Sequence, residues 1–595
     1  MCGFTAVFSQ VPISPDGLTG LEQVLKHRGP DDHGQYRSSD GRVALFHNRL
    51  SFFDLSEKGK QPLQSADGRY VLVYNGEIYN FREIRTELQA QGLAFTTDTD
   101  TEVILNGYAH WGKAILQKLE GMFAFVLFDS HTKQLLAARD RFGIKPLFYY
   151  QSNDFLVFSS EVKGILALPA LASCIRVRKT SIALFLANRY VPAPYTIWEQ
   201  VFKLQPAFYL ESDFSFKPRL DEYWKPTLSN HRLARKEVVE HTRFLLSQSV
   251  EKHLRSDVPV GGFLSGGFDS SALAVLARDL VGNSFQTFSI GFENWTDSED
   301  KYAELVANHL GLPMSRHISK QIDLHKVRQL MFHYDDPIAD ISILPTFEVS
   351  RIAVEKVKAV VSGEGADELF GGYWWNKGNP FYYESPWKRV SAMLGGKSFG
   401  MVKSHYIHAM SMGLFDLNEL SQALTPDYRH SLPDDPFAHF DRFQLSDDQP
   451  LVKQLQYLDI KTFMTELVLN KVDRASMANS LEVRVPFLDH HLVEFMLGLH
   501  PDSFMEEGVQ KPILKTLLTN RVPDSILERK KQGFVGPDAF YMNYDLYAEQ
   551  LRNGLLVKSE VIQPRYIEQK LQQKDHWRLW KIYVLENWWI NWMQP

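Results

Sequence analysis

The chain has 595 residues, 44% hydrophobic and 13% aromatic, enough for two to four domains with large buried cores. Its 65 basic and 71 acidic residues leave a net charge of −6, which excludes the broad basic stripe of a nucleic-acid-binding surface. No apolar run approaches the ~18 residues that span a bilayer, so no membrane partner is expected. The N-terminus lacks the basic start of a signal peptide, and only two cysteines occur, Cys2 and Cys174. Both features predict a cytoplasmic protein.

Apolar runs suited to strands occur at Cys2–Phe8, Val43–Phe53, Tyr70–Tyr74, Met122–Phe128, Leu147–Tyr150 and Phe155–Phe158. Among them, Phe81, Ile84 and Leu88 fall on one face of a helix that ends at Gly92. Strands grouped apart from helices predict a layered α+β domain. Proline-marked segments, Val191-Pro192-Ala193-Pro194 and Lys217-Pro218, predict a linker near 190–220, and so domains at 2–210 and 211–595. From about 236 helix and strand alternate: a helix over Lys236–Leu254, a strand over Val258–Leu264, a helix over Ser271–Val281, a strand over Gln286–Phe292, a helix near Glu299–Leu310 and a strand over Lys358–Val361. Alternation of this kind predicts an α/β domain with a parallel sheet, whose ligands bind at the carboxyl ends of the strands. The C-terminal tryptophans, Trp577, Trp580, Trp588, Trp589 and Trp592, read as core packing.

Removal of Met1 would place the thiol of Cys2 beside a free α-amine that titrates near neutrality, nucleophile and base in one residue. Taken alone, Cys2 reads first as a small buried hydrophobe. Its neighbours add chemistry: Arg49 can fork onto a carboxylate and Asp100 can pair with an ammonium, together suiting the zwitterionic end of an amino acid. Asn75 and Gly76 offer the amide and backbone donors an oxyanion needs, although Asn-Gly is also a hairpin turn signal.

The ordered motifs Met1-Cys2-Gly3, His27-Arg28-Gly29-Pro30-Asp31, Arg49-Leu50-Ser51, Asn75-Gly76-Glu77-Ile78-Tyr79-Asn80 and Asp140-Arg141-Phe142-Gly143-Ile144-Lys145-Pro146-Leu147 resemble the N-terminal-nucleophile glutaminase domain of the asparagine synthetase family. The resemblance implies a four-layer αββα sandwich. It also implies that Cys2 attacks the glutamine amide to form a thioester, and that Arg49, Asn75, Gly76, Glu77 and Asp100 hold glutamine or its oxyanion.

A second motif, Ser265-Gly266-Gly267-Phe268-Asp269-Ser270-Ser271, joins a predicted strand to a predicted helix. Its glycines allow close approach of phosphate, its serines and the helix N-terminus donate, and Asp269 makes sense there only with Mg²⁺ between it and phosphate. A capped helix with a glycine turn is the plain alternative. Ser362-Gly363-Glu364-Gly365-Ala366-Asp367 repeats the pattern after the Lys358–Val361 strand, so Asp269 and Asp367 could share a metal. Gly396-Lys397-Ser398 resembles the tail of a Walker loop, but Ser391 stands where its first glycine is needed.

The two loops resemble the pyrophosphate loop of N-type ATP pyrophosphatases. Four further motifs narrow the resemblance to the asparagine synthetase family over most of the chain: Lys471-Val472-Asp473-Arg474-Ala475-Ser476-Met477, Glu482-Val483-Arg484-Val485-Pro486-Phe487-Leu488-Asp489, Lys511-Pro512-Ile513-Leu514-Lys515 and Arg529-Lys530-Lys531-Gln532-Gly533-Phe534. It implies a nucleotide site lined by Leu264, Ser265, Gly266, Gly267, Ser270, Ile290, Ser362 and Gly363, with Asp269 and Asp367 on Mg²⁺–pyrophosphate. The same resemblance implies that Glu364 lies by the acyl-adenylate and that Lys511 neutralises the leaving pyrophosphate, whereas an ordinary lysine is solvated. The implied substrates are glutamine, ATP and a small carboxylate, aspartate by default; whether the chain forms a homodimer is open at this level.

Three rivals fit less well. A cyclase of the β-lactam synthetase kind loses the cysteine, a tRNA-modifying relative wants a basic face and reactive cysteines, and a non-enzymatic factor sheds its acids. One departure concerns the acceptor. The best-known branch of the family carries an arginine in the segment matching Asp335–Pro345, expected here at a strand end, and alignment on Pro345 puts Ile341 at that place. Ile341 cannot pair with a carboxylate. Either another cation does so, or the acceptor is a different carboxylate of a cell-surface sugar or specialised-metabolite pathway.

Overall fold

The computed structural model describes residues 2–593 apart from 294, 296–297, 320–322, 378–398, 447–448 and 530–535. The Gly396-Lys397-Ser398 motif and residues 530–534 of the Arg529 motif lie outside the described residues.

The first half of the chain builds two six-stranded antiparallel sheets. One runs in the order Val201–Lys203, Phe148–Gln151, Phe155–Ser159, Gly3–Ser9, Val43–Arg49 and Asp32–Arg37. The other runs Arg219–Glu222, Phe208–Ser212, Gln134–Arg139, Gly121–Asp129, Tyr70–Ile78 and Leu63–Gln64. Side chains alternate along each strand. Phe4, Ala6 and Phe8 therefore meet Val71, Val73, Ala124 and Val126 in a core between the sheets. The opposite faces are covered by helices: Val7 and Phe46 pack with Val162 and Ile165 of helix Val162–Leu166, and Leu72 and Phe125 with helices Phe81–Ala90 and Thr101–Trp111. Helix, sheet, sheet and helix give the αββα sandwich that the motifs imply.

The second half holds a five-stranded parallel sheet, ordered Met314–Ser319, Thr287–Phe292, Val260–Phe263, Ala359–Val361 and Glu482–Arg484. Helices Arg235–Leu254, Phe268–Val281 and Asp300–Leu310 pack with it in one core. Helix Leu451–Leu458 continues through a π-helical stretch, Asp459–Val468, into helix Leu469–Met477, a wide-turn insertion of the kind found near functional sites. Trp580, Trp588 and Trp589 are buried, and Trp577 and Trp592 pack against the same core. Among the described residues, no helix is long and apolar enough to cross a membrane.

Two expectations are corrected, and one alternative falls away. The proline-marked stretch at 190–220 is not a linker: Val201–Lys203 and Phe208–Ser212 are strands of both sheets, and Arg219–Glu222 edges the second. Asn75-Gly76 is not a hairpin turn but the interior of a nine-residue strand paired throughout with Gly121–Asp129. The Asp335–Pro345 segment follows no strand; it leads into helix Ile343–Ala353 and sends Asp335 and Asp336 toward the first domain.

Candidate active sites

Cys2 stands at the start of strand Gly3–Ser9, 8% exposed, beside the middle of strand Tyr70–Ile78. Burial pushes its thiol above the usual cysteine range, so the resting group is protonated. Its backbone N–H donates to Asn75 Oδ1 at 2.8 Å. That contact fixes the amide so that Asn75 Nδ2, buried and with no hydrogen-bond partner among the described residues, is left to donate. Gly76 is required by space: a Cβ there would lie 2.1 Å from the carbonyl oxygen of Met122 on the paired strand.

Asp100 accepts hydrogen bonds from the Tyr74 hydroxyl at 2.7 Å and the Ile78 N–H at 2.9 Å. Burial nevertheless pushes its carboxyl up to about 6. Arg49 is buried, its guanidinium donating to the carbonyls of Phe53, Asp54 and Ser56, so here it shapes the loop that follows its strand. Glu77, whose carboxyl burial pushes well above the usual range, lies 3.5 Å from Arg484 of the second domain.

Cys2 is tied to the second domain by residues whose roles single-residue chemistry did not reveal. Arg28 Nε donates to the Cys2 carbonyl at 3.2 Å. Its two terminal nitrogens grip Asp473 at 2.8 and 3.0 Å, a bidentate pair between positions 445 residues apart. Glu161 takes Arg28 Nη1 at 2.7 Å and Arg474 Nη1 at 2.9 Å, and Arg474 reaches Asp335 at 3.2 Å. The motifs containing Arg28 and Asp473-Arg474 single out these residues, but not their pairing.

The second site lies at the carboxyl ends of the parallel strands. Ser265 follows strand Val260–Phe263, and its N–H and hydroxyl bond to the Ser270 hydroxyl at 3.1 Å, closing the loop over helix Phe268–Val281. Gly266 has a φ of 73° and lies so close to Tyr302 that a Cβ would come within 2.5 Å of it. Leu264 and Ile290 are buried beneath, and Ser362 and Gly363 continue strand Ala359–Val361, Gly363 close against Asp269. Glu364 Oε2 is buried with no hydrogen-bond partner among the described residues.

Lys511 is not a solvated surface lysine. It is 1% exposed, and its Nζ lies 2.5 and 2.6 Å from the oxygens of Asp269 and 2.5 Å from Asp367 Oδ1. The two carboxylates thus converge on one cation, an all-oxygen donor set that suits Mg²⁺. Gly372 makes room, since a Cβ there would meet Asp367 Oδ1 and Lys511 Cε. Arg529 adds a cation, donating to the Ser265 carbonyl at 3.3 Å while stacking over Tyr302.

Residues 1–224 match the glutamine amidotransferase domain model, and residues 241–590 the asparagine synthase model. The chain is 34% identical over 590 residues to asparagine synthetase [glutamine-hydrolyzing] 1 of Bacillus subtilis, covering 93% of this chain and 89% of that protein. It is 33% identical to a putative asparagine synthetase [glutamine-hydrolyzing] of Mycobacterium bovis, covering 99% and 97%. An amidase, chry2, of Gibberella zeae is 27% identical, covering 91% and 90%.

Proposed function

The chain belongs to the glutamine-hydrolysing asparagine synthetase family, and on that premise we propose that its acceptor is aspartate, amidated to asparagine with release of AMP and pyrophosphate. The observation that carries the two-site mechanism is the pairing of a buried Cys2–Asn75 couple in one domain with Asp269, Asp367 and Lys511 converging in the other.

At the first site Arg49 and Asp100 take the carboxylate and ammonium of glutamine, with Glu77 beside them. With Met1 removed, the nitrogen now bonded to Asn75 Oδ1 is the α-amine that takes the thiol proton. The sulfur attacks the side-chain carbonyl, Asn75 Nδ2 and the Gly76 N–H hold the oxyanion, and ammonia leaves as the thioester forms. Water then releases glutamate.

At the second site Ser265, Gly266, Gly267 and Ser270 hold the ATP phosphates. Mg²⁺ on Asp269 and Asp367 would neutralise phosphate charge. The acceptor carboxylate attacks the α-phosphorus and pyrophosphate departs, with Lys511 supplying positive charge beside it. Ammonia attacks the acyl carbon, AMP leaves, and Glu364 Oε2 takes the proton that ammonia sheds. A cytoplasmic location fits the scarcity of cysteine.

The relative named as an amidase and the apolar Ile341 favour one other reading, amidation of a different small carboxylate. Acceptor-dependent pyrophosphate release separates the two. Saturable release with aspartate, yielding asparagine, supports the first; release only with another acid supports the second.

A further inference from the structure

Outside the two reaction sites, Glu120 of the first domain meets His490 and His491 of the second, each residue offering one ligand atom within 4.8 Å of the other two. The contact joins positions 371 residues apart. Glu120 immediately precedes strand Gly121–Asp129, and its backbone is fixed from both sides. Its N–H donates to Asn80 Oδ1 at 3.0 Å, and its carbonyl accepts from the Tyr79 N–H at 2.7 Å. His490 and His491 open helix His490–Gly498, where the Asp489 carboxylate accepts from the His491 N–H at 2.9 Å. The ligands thus stand on backbone held by other bonds, the preorganisation a metal site requires.

The protonation states suit ligation. Burial, with Arg141 and His491 adding to it, brings the His490 imidazole down to about 3, so its ring is neutral near pH 7. Among the described residues that ring makes no hydrogen bond, and its lone pair is free to bind. Burial works against the Glu120 carboxylate, but hydrogen bonds from His491 at 3.1 Å and Lys252 at 2.7 Å hold its carboxyl down to about 2. The exposed His491 is the member that holds a proton, because its bond to Glu120 raises the imidazole above the usual histidine value. A divalent ion would take that proton's place, since a ligating histidine is neutral.

The other charged groups facing the cluster are Lys252, Arg141 and Asp489. Two cations therefore stand against two carboxylates, Asp489 and Glu120, and the fixed charges cancel. Lys252 uses Glu120 Oε2, whereas Oε1 faces His491 Nε2 at 3.1 Å. Ligand atoms on a tetrahedral Zn²⁺ with bonds of about 2.0 Å stand about 3.3 Å apart, so this pair needs little movement. Two imidazoles and a carboxylate, with a fourth place open to water, select Zn²⁺ and ions like it over Mg²⁺. The all-oxygen pair Asp269 and Asp367 has the opposite preference.

We propose that Glu120, His490 and His491 form a transition-metal site, filled by Zn²⁺ or an ion of the same ligand preference, that clamps the two domains to each other. The ion would join the end of the 75–80 motif, through Tyr79, Asn80 and Glu120, to the helix that follows the 482–489 motif. The site is independent of which carboxylate is amidated.

The test uses tag-free full-length protein carrying Cys2→Ala, so that the thiol holds no ion, stripped with a chelator and kept in excess Mg²⁺ to fill the Asp269–Asp367 site. Co²⁺ is titrated while its visible absorption is followed, and is then displaced with Zn²⁺; proton release and thermal melting are measured alongside. One Co²⁺ per chain should bind with the absorption of a four-coordinate nitrogen–oxygen site, and Zn²⁺ should displace it. Binding should release about one proton and raise the melting temperature. H491A and E120Q should weaken binding by about 100-fold or more, since loss of even an outer partner costs about 10- to 100-fold. Exposed His491 can be replaced without unfolding, so metal-free H491A should melt with the parent. No stoichiometric binding by the parent, binding without proton release, or binding that H491A leaves unchanged would overturn the site.

Discussion

Asp473 lies on a helix of the second domain, yet replacing it should impair the chemistry of the first. Its carboxylate takes two hydrogen bonds from Arg28, whose Nε holds the Cys2 carbonyl at 3.2 Å. Asp473→Asn keeps the size but removes the charge and turns one acceptor into a donor facing a guanidinium. Removing one partner of a buried pair costs about 3–5 kcal/mol. Glu161 still holds Arg28 at 2.7 Å, so the low end, about 3 kcal/mol, applies. The loosened guanidinium lets the Cys2 backbone drift, and misplacement by about 1 Å costs on the order of 100-fold in rate. Urea denaturation and glutamate release from glutamine measure the two effects. Stability within about 0.5 kcal/mol of wild type together with an unchanged glutaminase rate would refute the claim that this pair positions the nucleophile.

Other outcomes follow from the same geometry. Cys2→Ala should abolish glutamine hydrolysis but keep amide synthesis from added ammonium; loss of both in a folded protein would show that the sites are not separate. Asp269→Asn or Asp367→Asn should remove most synthetase activity and spare the glutaminase, because each strips an oxygen from the point where Lys511 now sits; an unaffected synthetase would rule out a metal there. Asp100 must be ionised to hold the glutamine ammonium, and its carboxyl is raised to about 6, so affinity is full above that pH and lost as pH falls through it. The glutamine KM should therefore rise toward tenfold per unit below about pH 6, and a flat KM from pH 5 to 8 would remove Asp100 from that role.

Much of this architecture is legible in the residues. The alternation of Phe4, Ala6 and Phe8 fixes one face of the first sheet, and the helix–strand alternation after 236 gives the parallel sheet and puts both glycine loops at its edge. Short elements escape such reading. Val201–Lys203 and Glu482–Arg484 have three residues each, too few to show a period, and owe their pairing to the strands beside them. Asn75-Gly76 misleads because its turn chemistry is local, while the strand through it is set by nine paired residues on Gly121–Asp129. At the sites, Cys2, Asn75, Asp269, Asp367 and Lys511 can be picked out by motif. The grip of Arg28 on Asp473, and the burial of Lys471 against Ser342, arise from long-range packing and have no local signature.

The central claim, transfer of nitrogen from glutamine at one site to an activated carboxylate at the other, is tested most directly by following a label. Supplied with ATP, aspartate, Mg²⁺ and glutamine carrying a nitrogen isotope in its side-chain amide, the protein should form asparagine labelled in its amide, with one AMP and one pyrophosphate for each. Labelled ammonia accumulating with no amide product across a panel of carboxylic acids, or ADP and orthophosphate in place of AMP and pyrophosphate, would contradict it.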